Sequence, residues 1–281
     1  MTRAAGTRPA DAVRPALAGF LDLARRRLRR TIIVVGLSWI LTFAFAQEIM
    51  VLLAQPLTHA WENHRAELGA PALHFSALVE PFWVYMTLAF WIGLFVASPF
   101  LFHQLWRALT RLRSPGRRGM ATPFAAATTL CFAVGAAFCY FVVLPLAFDF
   151  FLGYASQNLA HMSSALGLDV ELGKPLALKP ALYLEPYLAL TIRMLVAFGL
   201  VFELPIAILF LSSIGLVTHR SMWRFNRWAI VLAFVIAAVL TPGPDIVSQV
   251  AMAVPLVVLY NLSILIALVM TRRRELRADA S

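Results

Sequence analysis

Residues 121–148 read ATPFAAATTLCFAVGAAFCYFVVLPLAF, a run of 28 residues without a charged side chain. A helix needs about 20 mostly apolar residues to cross roughly 30 Å of hydrocarbon. This run exceeds that length, and it is apolar on every face, as a helix surrounded by lipid or buried on all sides must be. It predicts a membrane span, and the rest of the chain is read by asking how many more there are.

Composition points the same way. Of the 281 residues, 61% are hydrophobic and 14% charged, whereas a soluble domain is near half apolar with about a quarter charged. The mean hydropathy is +0.79. Further apolar runs extend from Thr31 to Ala46, continuing past Glu48 through Met50 to Ala54, and from Phe82 to Phe102. Others run from Tyr187 to Val217, Trp228 to Leu240 and Val247 to Met270. The fifth has only about 13 residues, or roughly 20 Å of helix. Thr241-Pro242-Gly243-Pro244 comes next, a strong turn signal, so the last two runs predict a hairpin of short helices where the bilayer thins. The expected fold class is an all-α membrane protein of six helices. Pro56, Pro81, Pro99, Pro145 and Pro255 mark kinks or helix ends, which predicts bent helices around a concave face.

The basic residues set the orientation. The net charge is +10, carried almost entirely by arginine. Eight arginines precede the first run, five lie between Arg107 and Arg118, three between Arg220 and Arg227, and four come after Met270. Twenty of the 24 bases thus fall on one side, leaving Arg65, Lys174 and Lys179 opposite and Arg193 inside a run. The positive-inside rule puts both ends of the chain in the cytoplasm. Bases clustered between apolar runs suit topology and anionic lipid, and they argue against a nucleic-acid surface. The expected organisation is a cytoplasmic tail and amphipathic tip over residues 1–30, one six-span domain over 31–270 and a basic cytoplasmic tail over 271–281. The polar stretch Met1 to Pro15 has neither the apolar core nor the cleavage site of a secretory signal. Retention of the N-terminus is therefore expected.

Long loops from Gln55 to Pro81 and from Gly153 to Pro186 fall on the other side, where they predict a structured outer cap. His59, His64 and His74 in the first have no metal-ligand spacing. Cys131 and Cys139 lie eight residues apart, roughly 12 Å along a helix, too far for a disulfide. No phosphate loop, nucleophile elbow or metalloprotease signature occurs. The sequence predicts no cofactor, no metal and no enzymatic activity.

One residue stands apart. Glu203, in Phe202-Glu203-Leu204-Pro205, lies near the middle of the fourth run. A carboxyl group at that depth is costly unless neutral, hydrated or paired, so its default reading is functional. Packing against a neighbouring helix is the alternative. Pro205 removes a backbone donor and predicts a kink beside it. Arg193 is ten residues away, roughly 15 Å along the axis, and cannot pair with it. It snorkels to the interface instead.

Six strings in order resemble those of TatC, the multi-spanning receptor of the twin-arginine protein translocase. They are Glu80-Pro81-Phe82, Ala97-Ser98-Pro99, His103-Gln104-Leu105-Trp106, and Tyr140 through Phe148. Ala197 through Pro205, and Leu240 through Asp245 with Ser248-Gln249, complete the set. The resemblance covers about Phe20 to Met270. It implies a glove-shaped six-helix receptor, capped by the two long loops, in the bacterial cytoplasmic membrane. It also implies an oligomeric complex with single-span partners of the TatA and TatB type, which export folded proteins using the proton-motive force. The residues it singles out for a partner or membrane polar site are Glu203, Phe202, Pro205, Gln104, Trp106 and Pro99. On the outer face it singles out Pro56, Glu80, Pro81, Phe82, Pro242, Asp245 and Gln249.

The cytoplasmic face departs from the family. TatC reads the arginine pair of export signals with glutamates, the first in a His-Leu-x-Glu-Leu-Arg string. Here Phe20-Leu21-Asp22-Leu23-Ala24-Arg25 places Leu23 at the glutamate, with Asp22 one residue off. That is a turn of about 100° on a helix. Asp22 and Arg25 are the remaining candidates for signal-peptide binding. The second glutamate belongs in the first cytoplasmic loop, yet Arg107 to Arg118 contains no acidic residue. Tyr260-Asn261 stands where the family often has an aromatic followed by glutamate. Altered signal recognition is therefore expected. Ion-coupled transport with Glu203 as proton site is the competing reading, although no internal repeat accompanies it.

Overall fold

The computed structural model describes residues 9–65, 69–113, 121–153, 181–213, 217, 219–240 and 246–278. Within these, helix α1 (Pro9–Ala44) is followed by α2 (Ala46–Asn63), strand β1 (Leu73–His74), α3 (Glu80–Arg113) and α4 (Ala121–Phe138). A π-helical turn (Cys139–Val143) continues α4, and helix resumes over residues 144–153. Strand β2 (Leu182–Tyr183), α5 (Leu184–Val201), α6 (Leu204–Ser213), α7 (His219–Leu240) and α8 (Ile246–Ala278) complete the order. Five helical stretches are long and apolar enough to cross a membrane, and the α1–α2 pair makes a sixth if counted as one span. The chain is a multi-pass helical membrane protein, as the apolar runs predict.

Three boundaries differ from expectation. The first run does not continue as one helix to Ala54, because α1 stops at Ala44 and the Phe45 N–H bonds three residues back to the Thr42 carbonyl. The segment after Gln55 is not loop, since α2 runs through Pro56 to Asn63. Helices α7 and α8 are longer than their apolar stretches because polar turns extend them, Arg220 to Arg227 at the start of α7 and Arg272 to Arg277 at the end of α8. The turn at 241–245, with Pro242 and Asp245, lies outside the described residues.

Chain contacts divide into two compact units, Met1–Phe45 with Ala89–Ala125 and Ala46–Leu88 with Ala126–Ser281. In the first, α1 and the latter part of α3 pack antiparallel. The Thr42 hydroxyl donates to the Ala89 carbonyl at 2.6 Å, and Gln104 Nε2 donates to Thr31 Oγ1 at 2.8 Å. Between these contacts the helices touch at Gly93, where a Cβ would meet the Trp39 backbone at 2.9 Å. Small residues and side-chain hydrogen bonds hold membrane helices together because lipid is as apolar as leucine.

The second unit buries Leu88, Cys139, Leu144, Thr191, Met194, Phe198, Met252 and Ser263 almost completely. Helices α7 and α8 form an antiparallel hairpin, tied by Tyr260 Oη to the Met222 carbonyl at 3.0 Å and Gln249 Nε2 to the Phe234 carbonyl at 3.0 Å. Ala233 and Ala237 on α7 and Ala253 and Ala267 on α8 are buried.

Proline inside a membrane helix strips a carbonyl one turn earlier of its donor, and that carbonyl needs another. For Pro56 the carbonyl is Leu52, and the Tyr140 hydroxyl donates to it at 2.6 Å. Removing that hydroxyl leaves a carbonyl without a donor at a site with little water, which costs about 1–3 kcal/mol. Tyr140→Phe is expected to lower the thermal midpoint of the detergent-solubilised protein. An unchanged midpoint would mean that water already serves Leu52.

Candidate functional site

Glu203 sits at a break between α5 and α6. Pro205 has no N–H to offer the Val201 carbonyl. The chain tightens there, with the Glu203 N–H bonding three residues back to Leu200 at 3.1 Å. The helix restarts when the Ala207 N–H bonds to the Glu203 carbonyl at 2.9 Å. The kink predicted from Pro205 is therefore present, and it takes the form of a two-residue interruption at Phe202 and Glu203.

The break turns the Glu203 side chain toward α4. The hydroxyl of Thr128, itself buried, hydrogen-bonds to the carboxyl. The other oxygen, Oε1, is buried with no partner among the described residues. A buried polar atom left unpaired is destabilising, and in native proteins it calls for an explanation. Thr128 was not singled out by sequence. Its signal was the Thr128-Thr129 pair in an otherwise apolar run.

An aromatic wall holds this geometry. The Phe138 ring packs on Phe202 at 5.6 Å and on Phe198 at 6.1 Å between centroids. Helices α4 and α5 approach at Gly135, where a Cβ would lie 2.7 Å from the Phe198 carbonyl oxygen and 2.7 Å from Phe202 Cβ. Glu203, Phe202 and Pro205 thus share one site. Arg193 is exposed on α5.

The other candidates have local roles. Gln104 spends its amide on Thr31, and buried Trp106 stacks against Phe124 at 5.0 Å. Pro99 lies exposed within α3. Asn261 donates to the Val257 carbonyl of its own helix at 2.8 Å. Arg25 is exposed on α1, and the side chain of Asp22 lies outside the described residues.

Glu80 opens α3 and is buried. Its Oε2 accepts from the Ser76 hydroxyl at 2.6 Å and from the Ser76 and Ala77 N–H groups. Its Oε1 accepts from the Glu185 N–H at 3.2 Å, in the first turn of α5. The first N–H groups of a helix lack intrahelical partners, so this carboxylate caps α5 from a distant part of the chain. Parallel pairing of Leu73 with Leu182 and His74 with Tyr183 runs beside it. Pro81 and Phe82 come next in the same turn, and Phe82 makes an edge contact with Trp83 at 6.1 Å.

The chain is similar to the family described as Sec-independent protein translocase protein (TatC), whose profile matches residues 19–255. It is 31% identical over 255 residues to the protein of that name from Desulforapulum autotrophicum, covering 89% of this chain and 83% of that one. It is 33% identical over 250 residues to the one from Magnetococcus marinus, with the same coverage of each chain. The crystal structure of the twin arginine translocase receptor TatC superposes with a TM-score of 0.66 at 30% identity, covering 89% of this chain and 99% of that one. With a profile spanning most of its length and a matching fold, the chain belongs to the TatC family.

Proposed function

We propose that this protein is the multi-spanning subunit of a twin-arginine translocase, a membrane complex that exports folded proteins using the proton-motive force. It acts by binding and performs no covalent chemistry. The observation that carries the reading is the Glu203 carboxyl, set at a helix break with one buried oxygen unpaired, in a chain of the TatC family. A polar group on a single-span partner of the TatA or TatB type completes that site. Phe202 and Pro205 shape it. The asymmetry of the arginines supports a cytoplasmic-membrane location with both ends inside. Ion-coupled transport through Glu203 draws no support, since the matched relatives are named as translocase proteins.

Signal reading is altered in this member. An arginine pair is best met by bidentate carboxylates. Leu23 stands at one expected position, and the stretch Arg107 to Arg118 carries only positive charge. Each missing guanidinium–carboxylate contact is worth about tenfold in affinity. In a strain lacking its own TatC, this chain is expected to export an ordinary twin-arginine reporter at least about tenfold less than a TatC with both glutamates. Export at the ordinary rate would overturn the reading. Abolition of residual export by Asp22→Ala would assign the remaining recognition to Asp22.

A further inference from the structure

A second cavity has no part in the Glu203 site. It measures about 510 Å³ and lies between α2 and the stretch from Tyr140 to Asp149. That is within the range of about 300–1,000 Å³ usual for small-molecule sites. Two breaks in regular helical hydrogen bonding lie beside it. Pro56 interrupts the bonding of α2, and before Pro145 the backbone widens into the π-helical turn, where the Leu144 N–H bonds five residues back to Cys139. Turns of this kind occur often at functional sites.

The floor is apolar, made of Pro56, Phe141, Pro145 and Leu146. Phe141 is 73% exposed and Leu146 57% exposed, so the floor continues into the lipid-facing surface. The rim is polar and rich in acceptors. Asp149 Oδ1 accepts from Asn63 Nδ2 at 3.1 Å and lies 3.7 Å from His64 Nδ1, while its Oδ2 and the Asn63 oxygen take no hydrogen bond among the described residues. Gln55 Oε1 lies 3.2 Å from the Tyr140 hydroxyl, whose one proton goes to the Leu52 carbonyl at 2.6 Å. His59 lines the same rim. Asp149 is the one carboxylate lining the groove among the described residues, and no Lys or Arg among them lines it. In a protein of net charge +10, this is a local reversal of sign.

A primary ammonium carries three donors and no acceptor, and at the outer end of the groove Asp149 and Asn63, in contact with each other, supply acceptors for it. Along the helix, Phe141, Pro145 and Leu146 lie deeper in the span and Asp149 nearer its end, matching the order of acyl chain and headgroup in a lipid. We propose that this groove binds an aminophospholipid, with its ammonium headgroup on Asp149 and an acyl chain over Phe141 and Leu146. A phosphatidylglycerol-type anion would meet Asp149 as a like charge.

The full-length protein with photo-leucine in place of Leu146 tests this in nanodiscs of equal phosphatidylethanolamine and phosphatidylglycerol. After irradiation, the adduct at that position is identified by mass. The wild-type groove is expected to favour phosphatidylethanolamine by about tenfold. Asp149→Asn is expected to abolish the preference and Asp149→Lys to reverse it. Equal adducts or a preference for phosphatidylglycerol in the wild-type groove would overturn the proposal, with no variant needed. So would a phosphatidylethanolamine preference that survives Asp149→Asn. In native membranes, an adduct to a single-span protein in place of lipid would also overturn it.

Discussion

Glu203→Ala is expected to move two measurements in opposite directions. Co-purification of the single-span partner should fall by about 5- to 150-fold, the equivalent of losing a hydrogen bond worth about 1–3 kcal/mol where water is excluded. Heat stability of the isolated subunit should hold or rise. The substitution removes a buried oxygen that has no partner among the described residues, together with the desolvation cost of keeping it there. Thr128, which loses its contact with the carboxyl, can turn its hydroxyl to a carbonyl of its own helix. A residue that only packs the fold would behave differently, with association and stability falling together. Glu203→Gln keeps the size and one oxygen, so it should retain part of the association. Partner recovery unchanged in Glu203→Ala, measured at matched expression, would remove Glu203 from the interface.

Gly135→Ala should be the most damaging change of a single methyl group. The new Cβ would sit 2.7 Å from the Phe198 carbonyl oxygen and 2.7 Å from Phe202 Cβ. Real contacts of this kind are longer, and neither a backbone oxygen nor a Cβ can rotate away. Overpacking costs about 1–3 kcal/mol where side chains can adjust, so the upper end or beyond applies here. Helices α4 and α5 would have to separate, loosening the packing of Phe138 on Phe198 and Phe202 and displacing the Glu203 carboxyl from Thr128. A clearly lower thermal midpoint is expected, with translocation lost. Adding Phe202→Ala would remove only the ring carbon at 2.8 Å and leave both 2.7 Å contacts in place, so the midpoint should stay low. Gly36→Ala is the control. Nothing lies within 4 Å of its Cβ position, and helix propensity predicts a neutral or slightly stabilising effect. Equal midpoints for Gly135→Ala and Gly36→Ala would show that the close approach carries no energy.

The spans were legible because a bilayer demands length and apolarity, and both are written residue by residue. The kink at Pro205 was legible for a related reason, since a missing N–H is a local fact. The structural outcome of that missing N–H is not local. Pro205 interrupts its helix, Pro56 leaves α2 continuous with Tyr140 serving the orphaned carbonyl, and a π-helical turn precedes Pro145. Only the neighbouring helix decides among these outcomes. Glu203 could be picked out as an expensive residue, but its contact with Thr128 joins two separate helices, and the Thr128-Thr129 pair marks a polar spot without naming its partner. Glu80 was expected on the outer face by resemblance, whereas its hold on the Glu185 N–H spans 105 positions and is invisible to any window of sequence.

That span of 105 positions also sets an order of events during synthesis. Glu80 leaves the ribosome well before Glu185, and at about 5–20 residues per second the delay is roughly 5–20 s. Through that interval the carboxylate can hold Ser76 and Ala77 but not the start of α5. β1 likewise waits for Leu182 and Tyr183. The early spans therefore enter the bilayer with this end unlatched, and the latch closes only once α5 has begun to insert. Biogenesis of the protein thus has a built-in delayed step at this end, and Glu80 is the residue that completes it.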